Sequence, residues 1–171
     1  PAAARADFMF AAYGDTPYAD SEERDHLSMI AHINSAAPAF VIHVGDFKAG
    51  WSPCTDELFK LRLEQFMMFQ APLIFTPGDN EWTDCSRPTF GRRDSVERLN
   101  KLRELFFSRP TSLGTRPMPL TRQSADYPEH ARWEYQGLLF VTLNVPSDNH
   151  SSVPSESVPR KKAMDTWVSE A

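Results

Sequence analysis

Ala39-Phe40-Val41-Ile42-His43-Val44-Gly45-Asp46 is the stretch that decides how this chain folds. It is an apolar run of strand length that ends on a glycine and an aspartate. The same ending occurs twice more. Phe8 to Tyr13 leads into Gly14-Asp15, and Pro72-Leu73-Ile74-Phe75-Thr76 leads through Pro77 into Gly78-Asp79. The segments between these runs have helical spacing. Asp20 and Ser21 offer an N-cap and Glu22 and Glu23 an acidic first turn, after which Leu27, Ile30 and Ile33 recur until Ala36-Ala37-Pro38. Thr55 caps a second predicted helix running through Gln70, with Leu58, Leu61, Leu63, Phe66 and Phe69 as its apolar stripe. A third helix is predicted from Ser95 to Phe107, with Val96, Leu99 and Leu102 on one face. Strands alternating with helices predict an α/β fold with a parallel sheet. Ligands of such sheets bind beyond the carboxyl ends of the strands, where Asp15, Asp46 and Asp79 would fall together.

After Pro110 the pattern changes. Pro110 to Tyr127 reads as a surface excursion, whereas Ala131 to Tyr135, a Gln136-Gly137 turn and Leu138 to Leu143 read as an antiparallel hairpin. A polar loop from Pro146 to Pro159 then precedes a predicted helix from Arg160 to the last residue. The 171 residues, 41% hydrophobic and 24% charged, suit one soluble domain spanning 1–171. A net charge of -5 gives no general attraction to polyanions, and no local basic patch argues for nucleic acid. The apolar runs fall far short of the roughly 20 residues that cross a bilayer.

Three carboxylates in one cleft repel one another and titrate upward unless cations neutralise them. Oxygen donors with supporting amides suit Mn, Fe or Zn, and two such ions about 3.5 to 4 Å apart can hold a phosphate and generate hydroxide near neutral pH. A glycine before each aspartate lets the chain turn sharply enough to aim the carboxylate. Cys54 and Cys85 each lie just beyond a Gly-Asp turn. They are read either as a disulfide between neighbouring loops, formed in an oxidising compartment such as a periplasm, or as reduced cysteines of a cytosolic enzyme.

Taken with their order, these motifs resemble the calcineurin-like metallophosphoesterases, whose pattern is Asp-x-His, Gly-Asp, Gly-Asn-His-Asp/Glu, a lone His and Gly-His-x-His. The resemblance covers roughly Phe8 to Val145. It implies a four-layer α/β/β/α sandwich and a two-metal hydrolase of phosphomonoesters or diesters, acting on a small phosphorylated substrate. It also implies Asp15 on the first metal, Asp46 bridging both, and Asp79 with Asn80 on the second. The string Thr76-Pro77-Gly78-Asp79-Asn80-Glu81-Trp82-Thr83-Asp84-Cys85 resembles a bacterial extracytoplasmic subgroup with paired cysteines, which implies the disulfide and a periplasmic or secreted location, with the cytoplasm as alternative.

The sequence departs from the pattern at three places. Pro17 stands where the first histidine belongs, with Tyr18 as a substitute or supporting group. Asn80 takes the place of the histidine that assists the leaving group, where it can hydrogen-bond a phosphate oxygen; in a second register it is the metal-binding amide. The late histidine motifs have no match, so the chain is expected to represent the N-terminal portion of such a sandwich. Lys48 is read as a phosphate ligand or a solvated lysine, and Glu81 as a support to the metal ligands or a surface acid. His43 is read as a core histidine, His150 as a solvated one, and Arg87, Arg92 and Arg93 as a solvated basic loop. Phe66, Met67, Met68 and Phe69 are read as core. Two other readings remain open: a binding or scaffold protein that has lost catalysis, and a dehalogenase-like sheet using a single covalent aspartate.

Overall fold

A computed structural model describes residues 7–88, 91–145 and 154–171. Within them the chain is a mixed α/β protein with two three-stranded sheets and four α-helices. The first sheet is parallel, in the order β1 (Ala11–Tyr13), β2 (Val41–His43), β3 (Leu73–Phe75), with Ala11, Val41 and Leu73 in register. Each strand is shorter than its apolar run. Single backbone bonds nevertheless prolong the pairing, from Ala39 N–H to Met9 O at one end to Asp15 N–H to Gly45 O at the other. The three Gly-Asp turns therefore leave the same edge of the sheet.

Side-chain alternation gives this sheet two different faces. Val41, Leu73 and Phe75 point to a core shared with α1 (Glu23–Ala36), α2 (Asp56–Phe66) and α3 (Ser95–Phe106), contributed by Ile30, Phe59, Phe66, Leu99, Leu102 and Phe106. Ile42 and Ile74 point the other way, to Phe40, Leu120, Ala131, Trp133 and Phe140. That second core belongs to an antiparallel sheet of β4 (Thr121–Arg122), β5 (Ala131–Tyr135) and β6 (Leu138–Thr142). Gln136 and Gly137 make the hairpin turn with φ of 48° and 71°, the double positive φ that matches strand twist. Outward from β5, Arg132 lies over the Trp167 ring at 4.2 Å and donates to Glu170 O, so α4 (Pro154–Ser169) packs on the far side of this sheet.

Several boundaries differ from the sequence reading. A short 3-10 turn, Asp20–Glu22, precedes α1, so Glu22 sits outside the α-helix proper while Glu23 opens its acidic first turn. Thr55 does cap α2, accepting from Leu58 N–H at 3.2 Å, but the helix ends at Phe66 rather than Gln70. Asn34 of α1 holds the early end: its side chain accepts from Gln70 N–H and donates to Met68 O, leaving Met67 and Met68 exposed instead of in the core. The inward face of α2 also carries Arg62 and Gln65, while Leu61 is exposed. Arg62 can be buried because Phe47 O, Gln65 and Glu23 take its donors, at 2.8, 2.9 and 2.7 Å. β4 lies inside the segment read as a surface excursion, and α4 begins at Pro154 rather than Arg160.

Candidate functional site

Asp15 and Asp46 both have φ of +58°, a left-handed backbone that side-chain-bearing residues rarely adopt. Close packing of the turns holds them there. A Cβ on Gly45 would lie 2.3 Å from Gly78 N, and one on Gly78 would lie 2.0 Å from Asp46 Oδ1. The Asp46 carboxylate therefore rests against the Gly78 backbone, and its Oδ1 accepts from Asn80 N–H at 3.2 Å. Its other oxygen meets the Tyr18 hydroxyl at 3.4 Å, and the same hydroxyl donates to Asp15 Oδ1 at 2.9 Å. One phenol thus joins the first two aspartates. Asp79 lies half-buried at the third strand end, its carbonyl accepting from Trp82 N–H and Asp84 N–H at 3.1 Å each.

Glu81 binds the second and third turns together. It is fully buried, and its carboxylate accepts backbone N–H bonds from Asp46, Phe47 and Gly78. Burial and the Asp46 charge raise its pKa, against three donors that favour the carboxylate. Beneath the turn, Gly45 N–H donates to His43 Nδ1 at 3.1 Å, so His43 is a neutral acceptor with its pKa pushed down to about 3 by burial. Cys54 and Cys85 are disulfide-bonded with Cα atoms 5.8 Å apart, joining the loops after β2 and β3.

Lys48 takes a place different from that of a phosphate ligand. It is 1% exposed, and its Nζ donates to Ala49 O and Ser52 O at 2.9 and 3.0 Å. Burial lowers its pKa, while Glu81, Asp84, Asp46 and Asp79 favour the charged form. Asn80 donates through Nδ2 to Lys48 O at 3.0 Å, which engages the amide donor expected to meet a phosphate oxygen and leaves its Oδ1 near Gly50. Burial, reinforced by the Asp79 and Asp15 charges, pushes Asp46 up to about 6, and burial raises Tyr18, aided by its bond to Asp15.

Asp84, absent from the sequence reading of the site, also belongs here. It is buried, its pKa is raised by burial and by Asp79, and it pairs with Arg87 at 2.7 Å. Its position in the string that carries Asp79, Asn80 and Glu81 was the available signal. Arg92 and Arg93 are exposed, as expected of a solvated loop. Trp82 is buried, with the Arg160 guanidinium 5.0 Å from its ring centre; Arg160 in turn donates to Glu129 and Asn144, and Asn144 donates to Pro77 O. The third turn is thereby tied to α4. His150 lies outside the described residues.

Among the described residues no three His, Cys, Asp or Glu side chains stand together as a ready metal-holding group. Asp15 and Asp46 close instead on the Tyr18 hydroxyl. The donor chemistry still fits a hard cation: two carboxylates share one proton donor, and the charge of a third, Asp79, helps raise the pKa of Asp46. No helix among the described residues is long and apolar enough to cross a membrane. No protein-family model, curated protein or solved structure matches this chain.

Proposed function

We propose that this protein is a metal-dependent phosphoric ester hydrolase of the calcineurin-like metallophosphoesterase type. The observation that carries the reading is the junction of Asp15 and Asp46 through one hydroxyl at the carboxyl ends of adjacent parallel strands, next to Asp79 and Asn80. The stacking of α1 to α3, the parallel sheet, the antiparallel sheet and α4 supports assignment to the family's four-layer α/β/β/α sandwich. In this reading Asp15, Asp46, Asp79 and Asn80 would hold two divalent or trivalent ions. When bound, such ions supply positive charge that polarises a phosphoryl oxygen and acidifies water.

The chain's own residues do the rest by positioning. Glu81 and His43 fix the backbone from which Asp46 projects, and Tyr18 aligns Asp15 with Asp46. Asn80 works through its acceptor oxygen, and Lys48 as a buried countercharge and loop brace. The Cys54–Cys85 bridge supports an oxidising compartment, periplasmic or secreted.

The test measures bound Mn, Fe and Zn and the hydrolysis of an aryl phosphate monoester and a diester. Wild type is expected to bind metal and turn over at least one ester, and Asp46→Asn to lose most of both; a wild type with neither metal nor turnover ends the enzyme reading. A second reading, a binding protein that keeps the fold without catalysis, is favoured by Pro17 and Asn80 standing at the family's histidine positions. It predicts metal binding without turnover. The single-aspartate dehalogenase reading predicts that only one of Asp15, Asp46 and Asp79 is essential, so that two of the three Asp→Asn variants stay active.

A further inference from the structure

Residues 49–52 form a tight turn between β2 and α2, closed by Ser52 N–H donating to Ala49 O at 3.0 Å. Lys48 braces it from beneath: its buried ammonium donates to the same Ala49 O and to Ser52 O. Burying an ammonium is costly, so a turn built on one is held in a definite place. Gly50 presses that turn against the site, since a Cβ there would lie 2.9 Å from Asn80 Oδ1 and 3.2 Å from Asp84 Oδ2. At the tip stands Trp51, 66% exposed. Its ring meets the Tyr18 ring edge-on at 6.0 Å, and the Tyr18 hydroxyl reaches Asp15 and Asp46. The indole is thus one aromatic ring away from the carboxylate pair.

A single bare apolar side chain on a surface needs no explanation. This one stands on a braced turn, meets Tyr18 edge-on, and is open to solvent beside a group of carboxylates. Fixed indoles stack planar rings, and each such stack contributes enough to select among ligands. The opposite charge lies too deep to serve the same purpose, because the Lys48 ammonium is enclosed.

We propose that Trp51 is the platform on which the site stacks a planar aromatic ring of its substrate, so that its preferred phosphoesters carry an aryl group or a nucleobase next to the phosphorus. The inference rests on the phosphoester reading above and names the substrate class for that site. The experiment is calorimetric binding, in the presence of Mn²⁺, of three compounds that cannot be hydrolysed: phenylphosphonate, the phosphonate analogue of adenosine monophosphate, and methylphosphonate. Wild type, Trp51→Ala and Trp51→Phe are compared. Trp51→Ala is expected to bind one or both ring-bearing compounds about tenfold more weakly while methylphosphonate affinity is unchanged, with Trp51→Phe recovering most of the loss. Loss confined to the phenyl arm points to aryl esters and loss confined to the adenosine arm to nucleotides. Equal affinities across the three proteins, equal losses for all three compounds, or no binding by wild type would overturn the inference. The phosphoester reading fails separately, through absent metal and absent turnover in wild type.

Discussion

The loop after β1 and the loops after β2 and β3 bring the same kind of residue to one end of the parallel sheet, yet they are built differently. Asp46 and Asp79 stand on turns joined by Glu81, by the Asn80 N–H, by glycine-to-backbone contact and by a disulfide. Asp15 is exposed; its N–H makes one backbone bond to Gly45 O, and its side chain is joined to the others through the Tyr18 hydroxyl. One half of the site is locked into the core and the other half is clipped on. Binding sites need both qualities, since a rigid half positions charge and an adjustable half admits a ligand.

Breaking the locked half should have the largest effects. Glu81→Ala leaves three backbone N–H groups without their acceptor and should cost about 4 kcal/mol in urea unfolding, with loss of activity. Replacing both Cys54 and Cys85 by serine opens a cross-link spanning 31 residues and should cost about 3 kcal/mol by the same measurement. If either variant matches wild type, the two loops are not held as described.

Acid should act on the locked half next. His43 has a folded pKa of about 3, below its ordinary value of 6.5, so the unfolded chain binds more protons between those values. Stability is therefore full above pH 6.5 and falls as pH drops through that window, by about 2 kcal/mol from this residue at pH 5. His130, pushed down to about 4 by burial, adds in the same direction. Melting temperatures measured from pH 7 to 4.5 check this, and His43→Gln should flatten the slope.

Asp46 has the opposite sign. Its folded pKa of about 6 exceeds the ordinary 3.8, so its ionised form opposes folding above pH 6 and that penalty fades as pH falls. Because the group is partly open to solvent, Asp46→Asn should stabilise the metal-free protein at pH 7.5 by only about 1 kcal/mol while removing function. Tyr18→Phe should change stability least, by about 0.5 kcal/mol or less. It should instead quicken amide exchange at residues 15–19 and leave residues 45–48 and 78–81 protected. Equal exchange throughout would erase the distinction between the two halves.

The same division governs what could be read from the sequence. The parallel sheet was legible because buried strands are continuous apolar runs and each ends on Gly-Asp. The early end of α2 was not, because it depends on Asn34, a residue over thirty positions away in the chain. β4 is two residues long and exists only through pairing with β5, so no local pattern announces it. Asp15, Asp46 and Asp79 could be read as neighbours because each follows a glycine at the end of an apolar run, whereas Asn80 entered only through the family resemblance. Lys48 follows neither sequence reading, phosphate ligand or solvated lysine, because the fold turns its ammonium inward to two carbonyls. Glu81 gave no sign that one side chain would serve three backbone donors, because that role depends on how two loops meet.

Gly78 has a consequence for how such a site can be lost in evolution. The Asp46 carboxylate occupies the volume that any side chain at position 78 would need. A glycine codon becomes an alanine codon by one base change, and that change would displace an aspartate 32 positions away without altering its own codon. The site therefore presents two loops to mutation as one target. In descendants of this chain, retention of Gly78 should track retention of this site's geometry more closely than retention of any single carboxylate does.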